Sequence, residues 1–202
     1  MSRTLFVGDV HGCAQALARV VDDARPDRVI LVGDVFPKGP DPARTWDVIR
    51  DVGAEAVMGN HDERLIAAWG RAGDSVHHRT WPLLPDAARA WLQALPLSLV
   101  GPDWRVVHAG VHPTGGFEAT TRSQVLTMRR WPDDAHPENP FWWEVYQGTE
   151  RIVYGHDALR GLQLHARTLG LDTGCVYGGR LSGLIIETEE LYQSDPEGNR
   201  VG

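Results

Sequence analysis

Three short apolar runs, each stopped by a glycine and each followed by a helix-periodic stretch, constrain this chain more than any other feature. Thr4-Leu5-Phe6-Val7 stops at Gly8 and precedes Ala14 to Ala24, where Leu17, Val20, Val21 and Ala24 recur at helical spacing. The pattern then repeats. Asp27 to Val32 breaks at Gly33 and leads to Ala43 to Val52, with Trp46, Ile49 and Val52 on one face. Ala54 to Met58 ends at Gly59 and leads to a helix expected over Glu63 to Arg71. Three strand-loop-helix units in succession predict an α/β layered fold, with functional loops at the carboxyl ends of the strands.

Beyond these units the pattern changes. Asp86 to Leu95 reads as a helix ended by Pro96, and Leu97 to Val100 and Trp104 to Val107 flank the turn Gly101-Pro102-Asp103. A second, more antiparallel sheet is expected from there, continued by strands at Arg151 to Tyr154 and Leu181 to Glu187. The polar tail from Gln193 to Gly202 is expected to fray. Residues 111–150 have poor periodicity, four prolines and a set of aromatic residues including Phe117, Trp131, Phe141, Trp142, Trp143 and Tyr146. They read as an irregular cap over the site, within a single domain spanning residues 1–202. For Phe141-Trp142-Trp143 a small core of their own is the simpler reading, with nucleobase stacking as the alternative.

Charge and cysteine usage remove several function classes. With 20 Lys+Arg against 27 Asp+Glu the formal net charge is −7, which gives no electrostatic footprint for DNA or RNA. Two cysteines without a CxxC, Cys13 and Cys175, leave no disulfide framework or thiolate zinc knuckle to argue for; Cys175 reads as a packing residue. No apolar run approaches membrane-spanning length and Met1 to Gly8 carries one cation, so the chain is expected to be soluble and cytoplasmic.

Five loops, each just after an apolar run, carry metal-capable side chains: Gly8-Asp9-Val10-His11-Gly12, Gly33-Asp34, Gly59-Asn60-His61-Asp62, His108-Ala109-Gly110 and Gly155-His156-Asp157. Any one alone would read as a turn. Asp9 and His11, two apart, project to the same side of an extended segment and can reach one ion. Oxygen and imidazole donors without thiolate suit manganese, iron or zinc over copper or an iron-sulfur cluster. The loops together offer about six ligands, too many for one ion that keeps a position open for water, and two ions sharing Asp34 is the economical arrangement.

In order and content these blocks resemble the calcineurin-like metallophosphoesterases, within the phosphoprotein phosphatase superfamily, over residues 4–185. Gly39-Pro40, Asp62 in place of the usual Glu, and Leu171-Asp172-Thr173-Gly174-Cys175-Val176-Tyr177-Gly178-Gly179 resemble most the bacterial symmetrical diadenosine tetraphosphate hydrolases. The resemblance implies a four-layer sandwich of two mixed β-sheets with helices on both outer faces. It places Asp9, His11 and Asp34 on one divalent ion and Asp34, Asn60, His108 and His156 on a second. Manganese is the first expectation, with iron, zinc, cobalt or nickel as alternatives. Two cations sharing an Asp depress the pKa of a bridging water, giving hydroxide for in-line attack on phosphorus. The expected substrate is a small phosphate compound, first diadenosine tetraphosphate cleaved to two ADP. A bacterial Ser/Thr/Tyr phosphoprotein phosphatase and a non-catalytic metal-dependent nucleotide-binding module are the alternatives.

By the same resemblance His61 is the general acid that protonates the leaving oxygen. Its usual partner is an Asp in the second block, where this chain has Pro37, so His61 is expected to lack that orienting group. This points to a substrate whose leaving group departs readily as an anion. Lys38 stands where the family usually has a phosphate-gripping arginine, and it is the only lysine among the 20 basic residues. A lysine holds phosphate as a point charge. Arg129 and Arg130 are the candidate second clamp, Arg129 favoured by position, and Tyr177 lines the site from the glycine-rich block. His77 and His78 match no block and read as surface residues.

Overall fold

A computed structural model describes residues 2–201. The first sheet is built on β1 (Thr4–Val7), whose run Leu5-Phe6-Val7 is apolar throughout because both faces of the strand are buried. Leu5 and Val7 face one core and Phe6 faces another. β2 (Arg28–Leu31) repeats this split, sending Val29 and Leu31 to the first core and Ile30 to the second. With β3 (Glu55–Ala56) these strands run parallel. The second sheet contains β4 (Ser98–Val100), β5 (Trp104–Val107), β6 (Arg151–Tyr154), β7 (Gln163–Leu164) and β8 (Thr168–Gly170), in the order β4-β5-β6-β8-β7. Two last strands, β9 (Leu181–Ile185) and β10 (Glu190–Ser194), return to the first sheet and give it the order β10-β9-β1-β2-β3.

The sheets pack face to face. Phe6, Ile30 and Val32 meet Trp104, Val106, Val153 and Leu169 between them, and Phe6 sits edge-on to Trp104 at 4.8 Å. Such an aromatic pair contributes about 0.5–1.5 kcal/mol beyond the area it buries. Outside the first sheet, α1 (Ala14–Ala24), α2 (Pro42–Val52) and α5 (Asp86–Gln93) present their apolar stripes to it. The start of α2 is set by the Asp41 side chain accepting from Arg44 N, with Pro42 in the first turn, and its end by Gly53 in the left-handed region. The fold is α/β, two mixed five-stranded sheets flanked by helices.

Several expectations need correction. The second sheet is no more antiparallel than the first, since each has two parallel and two antiparallel pairings. The chain from β5 to β6 and from β6 to β8 is long enough for a crossover, so β5, β6 and β8 run parallel. The aromatic bulk of residues 111–150 lies away from the cavity. Their aromatic residues, with Trp142 fully buried, pack on Val107, Ile152 and Tyr154 at the outer face of the second sheet, where α6 (Arg122–Thr127) is the one α-helix. The tail is also ordered. Gln193 and Ser194 belong to β10, and Val201 N donates to Gln193 O at 3.0 Å around a turn that Asp195 closes on Asn199; Gly202 lies outside the described residues. β9 ends at Ile185, where a turn through Glu189 at φ 58 makes the hairpin to β10.

The third helix differs in a way that reaches the site. α3 spans Asn60–Ala67, starting three residues before the expected Glu63. The Asp62 carboxylate accepts from Gly59 N at 3.1 Å and Val35 N at 3.0 Å, so Gly59-Asn60-His61 becomes the helix start rather than a free loop. α4 (Val76–Thr80) is a short helix that the periodicity does not announce. Among the described residues no helix is long and apolar enough to cross a membrane.

Candidate metal centre

The carboxyl ends of β1, β2, β3, β6 and β8 open onto one cavity of about 730 Å³, and His108, after β5, is buried against its lining residues Asp34 and Asn60. The loops nest closely because glycine stands where they touch. A Cβ on Gly59 would strike the Asp34 backbone, and one on Gly155 would strike the Asp9 carboxylate. His11, Asp34, Lys38 and His156 all have positive φ, between 48 and 86, without being glycine. Backbone held in that region costs free energy and concentrates at functional sites.

Asp34 stands at the centre. Its Oδ1 accepts from His61 N at 2.8 Å, while Oδ2 lies 3.5 Å from His11 Nε2 and 3.6 Å from His108 Nε2. Ligand atoms of Asp9, Asp34 and His108 fall within 4.8 Å of one another, and Asn60 Oδ1 lies 3.1 Å from His108 Nε2. Each imidazole is oriented from behind. His11 Nδ1 is 2.9 Å from Pro37 O and His108 Nδ1 is 2.9 Å from Val32 O. A carbonyl can only accept, so both rings carry a proton on Nδ1 and turn Nε2 inward. His156 is reversed: its Nε2 donates to Thr127 O at 3.1 Å, which leaves Nδ1 as the donor atom for a cation. Its backbone N also reaches the Asp9 carboxylate, at 3.2 Å.

Charge is concentrated here at a cost. Burial, then the charges of Asp172 and Asp34, pushes the Asp9 carboxyl well above its ordinary range, and burial raises Asp34 to about 7. Burial and then the Lys38 charge lower His11 to about 2; burial and then His108 lower His156 to about 2. His108 is lowered by burial too. Neutral imidazoles facing carboxylates that need positive charge are the donor set a divalent cation requires, so the residues present fit such ions.

The candidate substrate residues divide. Lys38 Nζ donates to Tyr177 Oη at 2.7 Å and lies 3.4 Å from His11 Nε2 at the cavity mouth. Arg129 lines the cavity, with Nη2 donating to His156 O at 3.3 Å and Nε 3.6 Å from Asp157. Arg130 does not line it. Its guanidinium donates to Asn139 O and lies over the Phe141 ring at 4.2 Å, within the aromatic segment. Of that segment only Thr127, Arg129 and Asp134 reach the cavity.

Three residues escaped the sequence reading. Arg64, one turn beyond His61 on α3, lines the cavity exposed and has no ion-pair partner among the described residues. Placing the helix start at Asn60 would have found it. Asp172 follows β8 as the other candidates follow their strands, and the same strand-end rule applies to it. His77 had no sequence signal, yet its Nε2 lies 3.0 Å from His61 Nδ1. His61 therefore has a partner despite Pro37, and His77 is not a surface bystander.

Comparison with known proteins gives a consistent picture. The family described as calcineurin-like phosphoesterase matches residues 2–179. The symmetrical bis(5'-nucleosyl)-tetraphosphatase of Aromatoleum aromaticum is 27% identical, over 93% of this chain and 94% of that protein. A crystal structure provisionally named a diadenosine tetraphosphatase superposes with a TM-score of 0.88 at 30% identity, covering 96% of this chain and 93% of its own. The cold-active protein-tyrosine phosphatase of a Shewanella species shares the fold, with a TM-score of 0.59 at 18% identity over 100% of this chain and 80% of its own.

Proposed function

The chain belongs to the calcineurin-like phosphoesterases, and from that premise we propose that it is a two-metal hydrolase of phosphoric anhydrides, with diadenosine tetraphosphate cut symmetrically to two ADP as first substrate. The observation that carries the reading is Asp34 Oδ2, set between the inward nitrogens of His11 and His108 with Asp9 and Asn60 beside them. Asp9, His11 and Asp34 would hold one cation, and Asp34, Asn60, His108 and His156 the other. Manganese is the first choice for this oxygen and imidazole set. Divalent cations bound there supply Lewis acidity and acidify water.

The protein's own groups do the rest. Lys38, Arg64 and Arg129 gather positive charge at the mouth of a chain whose net charge is −7, which favours an extended run of phosphates over a neutral ligand. Tyr177 holds the Lys38 ammonium at the rim. His61, fixed through its backbone to Asp34 and through Nδ1 to His77, turns Nε2 to the cavity and delivers the proton to the leaving oxygen. The tetraphosphate preference draws support from the relatives. The argument from a partnerless His61 loses its premise, although an imidazole partner lacks the negative charge of an aspartate and stabilises a protonated His61 less.

A phosphoprotein phosphatase is the second reading, favoured by the open mouth. Tyr177 and Leu159 stand there 66% and 89% exposed, as a docked protein surface would need. The Aromatoleum alignment also runs over 258 positions, more than the 202 residues of this chain, so it passes over residues of that relative that this chain does not have. One panel separates the readings. Manganese-loaded protein is offered diadenosine tetraphosphate, phosphoserine and phosphotyrosine peptides and p-nitrophenyl phosphate, with products separated by chromatography. ADP as the sole nucleotide product, formed faster than any peptide is dephosphorylated, is the expected result. Faster peptide turnover transfers the assignment to the phosphatase reading, and tight nucleotide binding without turnover to a binding module.

A further inference from the structure

His61 approaches the cavity from the first turn of α3, and its ring can rotate unless something holds it. Pro37 offers no polar side chain, and its carbonyl already takes the His11 Nδ1 proton. Among the described residues the one side chain hydrogen-bonded to the His61 ring is His77, Nδ1 to Nε2 at 3.0 Å, with the rings 5.2 Å apart and 13° from parallel. His77 is itself fixed from a distance. It sits on α4, which runs directly into Trp81, and Trp81 is buried among Leu84, Ala88 and Leu92 and stacks on Trp69 at 5.9 Å. The turn from Gly70 to Ser75 brings this short helix back beside α3.

We propose that His77 is the positioning residue for His61: it accepts the Nδ1 proton of His61, fixes ring and tautomer, and so keeps Nε2 as the nitrogen that exchanges a proton with the leaving oxygen. This rests on the reading of the site as hydrolytic. The acting acid is the His61 imidazolium, protonated on both nitrogens; when the bond from phosphorus to the leaving oxygen breaks, the electron pair stays on that oxygen and the Nε2 proton passes to it. His61 then keeps its proton on Nδ1, still donated to His77 Nε2, so the contact persists before and after transfer. For this His77 carries its own proton on Nδ1. The arrangement follows the general logic of a third group that orients a catalytic imidazole, with a neutral ring as acceptor.

The test combines kinetics with a measurement that needs no turnover. On phenyl phosphate, His77→Ala should lower kcat by about 10- to 100-fold, the range for outer partners that orient a histidine, with bound manganese unchanged. In a His61→Asn background the same substitution should change kcat less than about twofold, because a residue acting only through His61 has nothing left to act on. His77→Gln, whose amide oxygen can accept, should recover most of the loss. On metal-free protein labelled with ¹⁵N-histidine, His61 should carry its proton on Nδ1 in the parent and lose that preference in His77→Ala. Equal losses in both backgrounds, or a neutral parent His61 protonated on Nε2 instead of Nδ1, overturn the assignment. Should the parent hydrolyse no phosphate compound, the hydrolase reading falls while the tautomer measurement still decides the role of His77.

Discussion

The floor and the rim of the cavity are built differently. On the floor, Asp9, His11, Asp34, Asn60 and His108 are buried, and His11, His108 and Asp34 are each tied to backbone by a bond of 2.9 Å or less. At the rim, Lys38, Arg64, Arg129 and Tyr177 stand on long side chains with few fixed contacts. Only the floor is accurate before anything binds. The difference separates two tasks: an ion selects among ligand sets by geometry and is served by rigid donors, whereas a phosphate chain can be followed by mobile cations. Floor rigidity has a cost, visible in carboxyls pushed up and imidazoles pushed down by burial.

Substitutions along this gradient test whether it is real. The largest effect is expected at Asp34→Asn, which keeps an oxygen for His61 N but weakens the shared position. Turnover of diadenosine tetraphosphate should fall by orders of magnitude and bound metal below the parent, while the thermal transition survives. Two ions retained with more than about a tenth of parent turnover would remove the distinction between floor and rim. Next, His61→Asn should cost about 10² to 10⁴-fold on an alkyl phosphate such as phosphoserine, the usual share of general acid catalysis. The loss on the tetraphosphate should be smaller, because ADP departs as a stabilised anion; equal losses on both substrates, measured as kcat, would show that leaving-group protonation is not what His61 supplies.

At the rim the effects shrink. Lys38→Ala should lower kcat/KM by about 1.5–3 kcal/mol, the range for a hydrogen bond to a charged group. Arg64→Ala should do less, mainly through KM, since its exposed guanidinium is screened by water. A loss at Arg64 as large as that at Asp34 would mean the rim is as specific as the floor. Arg130→Ala should leave tetraphosphate kinetics within about twofold, because its cation is occupied by Asn139 and Phe141. A tenfold change there would restore it to the second phosphate clamp.

What could be read from the chain follows the same gradient. α1 spans the expected Ala14–Ala24 and β1 the expected Thr4–Val7, because apolar residues at a fixed period leave one face to bury. The five candidate loops do come together, since a glycine after a buried strand marks where backbone must turn and approach its neighbours. The misses are places where tertiary contacts override local pattern. Gln193 and Ser194, polar residues closing an edge strand, are indistinguishable from a tail until β9 is there to pair with them. Residues 111–150 offered aromatic bulk without period, and bulk does not say which face it will cover. His77 is the clearest case: sixteen residues separate it from His61, and only the burial of Trp81 brings the two rings together.

The candidate ligands come from both sheets, and this has a consequence for when the proposed centre could acquire metal. Asp9, His11, Asp34 and Asn60 lie on loops of the first sheet and His108 on a loop of the second, but His156 follows β6, late in the chain. β9, which pairs with β1, comes later still. A chain emerging from the ribosome thus exposes loose carboxylates and imidazoles long before it can arrange them, and during that interval its affinity for any ion is that of scattered side chains. Loading of the proposed centre would follow synthesis. An ion held by Asp34, Asn60, His108 and His156 would work as a rivet between the sheets, and its removal would loosen the joint rather than either plate.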